Sequence, residues 1–359
     1  MQTTPKAGLA AAFRPHFEKA ASGSRLSEEE AREAFACIMQ GAVSDIELAG
    51  FLVALKARGE TVDEIAGAVA AMKTLMTPVT APEGAIDIVG TGGDAKGTFN
   101  ISTAASLVLA GAGVPVAKHG NRAVSSKSGA ADVLEMLGVT IKMPSERIAQ
   151  CFERAGVAFL WAPAHHPAMR HAASVRQGLK VRTIFNLLGP LLNPAGTKRQ
   201  LIGAYSDVWL MPMAEVLKRG GAEHVWAVHG ADGMDELSTT GVSRVVELKD
   251  GRFCSFEVHP SDAGLPEVRL SDLEGGSPEE SAIAMRDLLR GKPGPLRDIV
   301  LLNAAAAFII AGKAASLKEG ARLAAASIDR GGAQKALDAL ILASTDAAAA
   351  QPELAADAK

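Results

Sequence analysis

Five short apolar runs, at residues 86–89, 114–117, 157–161, 201–204 and 225–228, alternate with stretches patterned as helices. No other feature limits the fold so strongly. Runs of this length suit buried strands, and a helix between each pair returns the chain so that the strands lie parallel. The pattern predicts an α/β fold with a mainly parallel central sheet flanked by helices. Residues 244–249 and 252–258 flank Asp250-Gly251, which predicts an added hairpin. Ser277-Pro278-Glu279-Glu280 opens a further helix, with a cap, a first-turn proline and a capping glutamate together.

The chain before this region reads as helices alone. Ser27 with Glu30, Ser44 with Glu47, and Thr61 with Glu64 have the spacing of capping boxes. Apolar residues at helical spacing lie between them, such as Phe35, Ile38 and Met39, then Leu48, Phe51, Leu52 and Leu55. Gly41 and Gly59 stand where helices end, and Pro78 follows the last helix. The expected division is a small helical domain over residues 1–78, an α/β domain over 79–345 and an Ala-rich tail over 346–359.

Gly90-Thr91-Gly92-Gly93-Asp94 follows the 86–89 strand at once, and Asn100, Ser102 and Thr103 lie at the start of the next helix. Strand, glycine turn and helix N-terminus are the parts of a phosphate site, because free amides can approach anionic oxygens closely. The spacing is neither GxGxxG nor the P-loop pattern. Taken alone, a tight turn without ligand is the commoner outcome.

A second cluster weighs against that outcome. Lys118-His119-Gly120-Asn121-Arg122 follows the 114–117 strand, then Ser125, Ser126, Lys127 and Ser128. Successive parallel strands present their C-terminal ends to one edge, so these cations and hydroxyls fall beside the glycine turn. His119 can be a structural hydrogen bonder as readily as a catalyst. After the 225–228 strand, Asp235-Glu236 offers two carboxylates at the same edge, enough for Mg²⁺ when substrate phosphates supply other ligands. Asp232 is a weaker candidate, since Asp-Gly is ordinary turn chemistry. His165-His166 precedes a helix carrying Arg170, His171 and Arg176. Adjacent histidines point different ways and no third ligand is near, so a structural role is favoured over metal ligation. Arg176 could clamp a carboxylate through a bidentate fork, or be a surface arginine.

Composition excludes several other classes. The net charge of -3 gives no global pull toward nucleic acid or anionic membrane. Cys37, Cys151 and Cys254 are scattered and odd in number, which argues against a disulfide framework or a zinc site and for a reducing compartment. No signal peptide or membrane-spanning run is read, so a cytoplasmic location is expected.

The chain resembles the anthranilate phosphoribosyltransferases of tryptophan synthesis from about residue 8 to about 345. The resemblance rests on GTGGD at 90–94, NIST at 100–103, KHGNR at 118–122 with the serines after it, RTIFNLLGPLLNP at 182–194, and the acidic turn at 229–238. It implies Mg²⁺-dependent transfer of phosphoribose from 5-phosphoribosyl-1-pyrophosphate (PRPP) to the amine of anthranilate, with two Mg²⁺ per monomer. It implies a homodimer built through the helical domain, with residues about 166–192 packing against that domain. PRPP contacts implied are Gly90, Gly93, Asp94, Thr98, Asn100, Ile101, Ser102, Thr103, Lys118, His119, Gly120, Asn121, Arg122, Ala123, Val124, Ser125, Ser126 and Ala130. Ser102, Asp235 and Glu236 match the metal ligands. Gly90, Asn121, His166 and Arg176 match the anthranilate contacts, and no general base is implied.

Two departures stand out. Ala130 replaces a serine common in relatives, which removes one hydroxyl. Lys180 follows Leu179 where the family usually has glycine, so the turn beside Arg176 is expected to be shaped differently. Two rivals are weighed: a pyrimidine nucleoside phosphorylase, which KHGNR and Asp235-Glu236 disfavour, and a nucleic-acid-binding paralogue, which the net acidity disfavours.

Overall fold

The computed structural model describes residues 6–92, 96–123 and 127–345. Helices α1 (Lys6–Ala21), α2 (Glu28–Met39), α3 (Asp45–Arg58) and α4 (Val62–Thr74) come first. Ser27, Ser44 and Thr61 accept from the amide three residues on, while Glu30, Glu47 and Glu64 reach back to the cap amides. Glu64 is fully buried and also accepts from Leu26 N at 2.9 Å and pairs with Arg58. Surrounding donors make the buried charge tolerable.

Among the described residues, seven strands form one sheet: β1 (Ile86–Gly90), β2 (Val116–Gly120), β3 (Val157–Trp161), β4 (Arg199–Gly203), β5 (His224–Gly230), β6 (Ser243–Lys249) and β7 (Arg252–Val258). Their order is β3-β2-β1-β4-β5-β6-β7. The first five are parallel, and β6 and β7 run antiparallel to their neighbours. Asp250 at φ 49° and Gly251 at φ 74° supply the positive-φ pair that the two-residue hairpin requires. Lys118, His119 and Gly120, expected in a loop, belong to β2. Pairing with β3 holds them extended as far as Gly120 opposite Trp161.

Alternation along the strands splits the core into two layers, as a period of two demands. Ile86, Ile88, Leu201, Trp226 and Val228 face one layer, with α5 (Ile101–Gly111), α6 (Ala130–Leu137), α7 (Ser145–Ala155) and the C-terminal helices. Val89, Ile202, Val225 and Ala227 face the other, which holds α2 to α4 and residues of the 172–192 segment. Phe35 of α2 meets Phe185 edge-on at 5.8 Å between ring centroids. Both faces of the sheet are thus covered, as a mainly parallel sheet requires.

The helix expected to carry Arg170, His171 and Arg176 is two pieces, a 3-10 helix Pro167–Ala172 and an α-helix Ala173–Leu179. Lys180 caps the second piece at φ 51°, ψ 24°. A lysine therefore holds the left-handed conformation that glycine would take more readily, and the turn is made despite the substitution.

Candidate active site

β1, β2, β4 and β5 each end in glycine, at Gly90, Gly120, Gly203 and Gly230. In open α/β folds ligands bind at this C-terminal edge. A Cβ on Gly90 would lie 2.5 Å from Asp235 Oδ2, and one on Gly203 would collide with the Asp235 carbonyl. The bare glycines let the turn after β5 fold over the end of β4 and reach the turn after β1. There Gly92 N donates to Asp235 Oδ2 at 2.7 Å. Thr91 Oγ1 donates to the same oxygen at 3.2 Å while accepting from Tyr205 N at 3.0 Å.

The acidic turn is braced from within and from beneath. Asp232 accepts from Met234 N, Ser238 Oγ and Thr240 Oγ1, so this carboxylate serves the turn itself. Asn303, fully buried on the helix Pro295–Ile310, accepts from Leu237 N at 3.0 Å and donates to Leu237 O at 2.8 Å. Asp235 is buried, and Glu236 is half-buried beside it. Two carboxylates and the Ser102 hydroxyl form a set of hard oxygens that fits Mg²⁺, an ion that keeps several waters. Among the described residues no group of three or more His, Cys, Asp or Glu is gathered for a metal. A metal held by this pair would need further ligands from substrate oxygens or water.

β2 brings Lys118 and His119 to the same edge. Lys118 Nζ donates to Ile88 O at 2.7 Å and His119 O at 3.1 Å. Burial pulls its ammonium below the usual lysine range, opposed by Asp87, Glu236 and Asp235. The His119 ring lies near the backbone of Gly189 and the His166 ring near that of Leu192. The two rings meet edge-on at 5.3 Å, with each Nε2 buried and unpartnered. Burial lowers both imidazoles, His166 to about 4, so both are neutral at pH 7. His165 points elsewhere, its Nδ1 3.1 Å from Thr77 O.

Arg122 reaches Asp132 at 2.9 Å and Glu135 at 2.6 Å. Asp132 also accepts from Ala123 N and Gly129 N, tying both ends of that loop to α6. Arg176 is half-buried, its guanidinium 5.4 Å from the centre of the Phe185 ring. Arg170, its neighbour in the cavity lining, donates Nη1 to Pro167 O.

These groups enclose a cavity of about 620 Å³. Gly90, Ser102, Lys118, His119, Gly120 and Asn121 line it, as do Arg122, Ala123, Ala130, His166 and Arg176. Asp235 and Glu236 complete that lining from the acidic turn. Thr98, Asn100, Ile101 and Thr103 stand back from it. Thr98 bridges to Glu274, and Asn100 Nδ2 donates to Ser128 O at 3.3 Å instead of capping α5. Ile101 and Thr103 are buried, the Thr103 hydroxyl without a partner. Gly93, Asp94, Val124, Ser125 and Ser126 lie outside the described residues. Gly203 and Asn303 were not anticipated, and Thr91 and Gly92 were read as part of the phosphate turn but not as donors to Asp235. The recurrence of glycine at the strand ends was the available signal for Gly203.

Residues 82–334 match the model of the glycosyl transferase family a/b domain, and residues 14–76 that of its helical bundle domain. The chain is 53% identical over 335 residues to an anthranilate phosphoribosyltransferase of Rhodopseudomonas palustris strain TIE-1, covering 93% of this chain and 99% of the relative. The crystal structure of anthranilate phosphoribosyltransferase from Thermus thermophilus superposes with a TM-score of 0.87 at 48% identity, covering 91% of this chain and 98% of that one. The Saccharomyces cerevisiae enzyme in complex with PRPP and Mg superposes at 0.85 with 31% identity, covering 93% and 98%.

Proposed function

The chain belongs to the anthranilate phosphoribosyltransferases, and on that footing we propose how its own residues divide the work of the reaction. It transfers phosphoribose from PRPP to the amine of anthranilate, giving N-(5-phosphoribosyl)anthranilate and pyrophosphate in tryptophan biosynthesis. The amine is a neutral nucleophile at pH 7, so no activated side-chain nucleophile is required. The difficult step is loss of pyrophosphate from the anomeric carbon, through an oxocarbenium-like state as in glycoside chemistry.

In our reading the glycine turn and the run from Lys118 to Ser126 hold PRPP. Turn amides and the buried Lys118 charge stabilise the departing diphosphate where they stand. Asp235, Glu236 and Ser102 hold Mg²⁺, two ions per monomer, which supplies positive charge to the leaving group. Arg176 grips the anthranilate carboxylate, with Asn121 and Gly90 beside it and His166 along the path. Neutral His119 and His166 make poor carboxylate partners, and Arg170 is partly engaged by Pro167 O. The family resemblance gives that task to Arg176, which holds the acceptor in line and contributes proximity. No side chain is assigned as general base; the proton leaves to the substrate carboxylate or to water.

One observation carries this reading: Asp235-Glu236, Lys118 and Arg176 line a single cavity. We further read a division near residue 78, a cytoplasmic location and a homodimer through the helical domain. Ile46 and Val53, two turns apart on α3, are 85% and 45% exposed, which supports a partner on that face. Among the described residues no helix is long and apolar enough to cross a membrane. Mixing the protein with Mg²⁺, PRPP and anthranilate is expected to extinguish anthranilate fluorescence. A steady signal at saturating substrates would overturn the reading.

A further inference from the structure

Asp87 is the second residue of β1, fully buried, on the sheet face that packs toward the helical bundle. A carboxylate is costly to bury unless donors surround it. Its donors come from two other parts of the chain. His119 N on β2 donates to Oδ1 at 3.1 Å, and Asn193 Nδ2 donates to Oδ2 at 2.7 Å. The same Asn193 nitrogen donates to Ala117 O at 2.8 Å. Asn193 Oδ1 accepts from Ala195 N at 2.8 Å, which fixes the orientation of the amide. Asn193 is 2% exposed, and it closes the segment whose Phe185, Leu188 and Pro190 form the apolar wall of the cavity.

The backbone shows why these side chains matter. β2 and β3 are in register over five residue pairs, whereas β1 and β2 share the single pair Ile86 and Val116. Beyond that pair, side chains join the two strands. Asp87 receives His119 N, and Lys118 Nζ reaches Ile88 O. Asn193 thus ties the end of the wall segment to β1 through Asp87 and to β2 through Ala117 O.

We propose that Asp87 and Asn193 are positioning residues that set the 183–193 wall, and with it the anthranilate half of the cavity, against the strand ends that hold PRPP. The proposal rests on the division of the cavity given above. Neither side chain lines the cavity, so both act through the residues they hold. Asn193→Ala releases the wall from Asp87 and leaves His119 N on Asp87. Asn193→Asp places a second carboxylate against the first. The exchanged pair Asp87→Asn with Asn193→Asp restores one donor and one acceptor between the two positions but leaves Ala117 O without its donor, so recovery is partial.

The test is steady-state kinetics of these variants and of Arg176→Ala, with thermal melts alongside. Asn193→Ala is expected to raise the anthranilate KM by about tenfold, while the PRPP KM stays within about twofold. The exchanged pair is expected to recover at least about tenfold in kcat/KM over Asn193→Asp alone. Both KM values rising together in Asn193→Ala, or neither moving, would overturn the proposal. Should Asn193→Ala fail to fold, equal defects in Asn193→Asp and the exchanged pair would overturn it instead. An anthranilate KM that moves in Arg176→Ala but not in Asn193→Ala defeats the positioning role alone. The converse supports the positioning role and defeats the carboxylate clamp.

Discussion

Gly92 gives its backbone N–H to Asp235 Oδ2 across 2.7 Å, joining the turn after β1 to the turn after β5. The bond makes the glycine turn and the acidic turn one unit, with Thr91 as a second donor to the same oxygen. Carboxylates that hold metals are usually oriented this way by further hydrogen bonds. The arrangement depends on Gly90 having no side chain, since a Cβ there would lie 2.5 Å from Oδ2 and 2.8 Å from the carboxylate carbon. Gly90→Ala is expected to weaken apparent Mg²⁺ affinity by at least about tenfold. Mg²⁺ titrations of activity, and calorimetry of pyrophosphate binding in Mg²⁺, would measure it. An unchanged Mg²⁺ midpoint would show that Asp235 does not need this placement.

Arg176 stands beside the Phe185 ring, and burial lowers its pKa without bringing it near neutrality. A hydrogen bond from such a guanidinium to a carboxylate contributes about 1.5–3 kcal/mol, the range for charged partners. Arg176→Ala is therefore expected to lower kcat/KM for anthranilate by about 10- to 100-fold. The KM for PRPP should move far less. Arg176→Lys should recover little, because a point charge cannot reproduce the two-pronged fork. Equal losses toward both substrates would count against the clamp.

What the sequence made legible was whatever is written locally. The capping boxes at Ser27, Ser44, Thr61 and Ser277 each need only a residue and its third neighbour. The hairpin at Asp250-Gly251 is of the same kind. The site was legible where a motif follows a strand, because parallel strand ends share an edge. Braces set by distant segments were not. Asn303 reaches Leu237 across 66 residues, and Asp87 meets Asn193 across 106. Within a buried strand, Asp87 reads as an interruption of an apolar run until its donors are seen. The extent of β2 was likewise set by β3, not by its own residues.

The acid stability of the fold should carry the signature of its buried imidazoles. Burial depresses His166 from its ordinary 6.5 to about 4. Below pH 6.5 the unfolded chain takes up a proton there that the folded chain refuses until pH approaches 4. Stability contributed at neutral pH is therefore lost as pH falls through that window, by up to about 3 kcal/mol. Asp87, raised by burial to about 6, contributes with the opposite sign in the same window, so urea unfolding of parent and variant at pH 7, 5.5 and 4.5 should isolate the decline as their difference. His166→Asn should flatten it by one proton's worth, while His119 and His165, also lowered, keep the remaining slope. Parallel curves for the variant and the parent would contradict the assignment.

Lys180 is exposed and sits at φ 51°, four residues after Arg176. Crowding between Cβ and the following carbonyl makes this conformation cost a non-glycine residue about 1–2 kcal/mol. Glycine removes that strain but adds freedom to the unfolded chain, offsetting about 0.5–1 kcal/mol. The net gain for Lys180→Gly is then about 0.5–1 kcal/mol, a rise of about 1–2 °C in the melting midpoint for a protein of this size. Because Lys180 already holds the left-handed geometry, the helix Ala173–Leu179 should not be re-aimed. The anthranilate KM should accordingly stay within about twofold, a far smaller change than Arg176→Ala should give. A KM that improves markedly would mean that lysine had been holding the arginine off its mark.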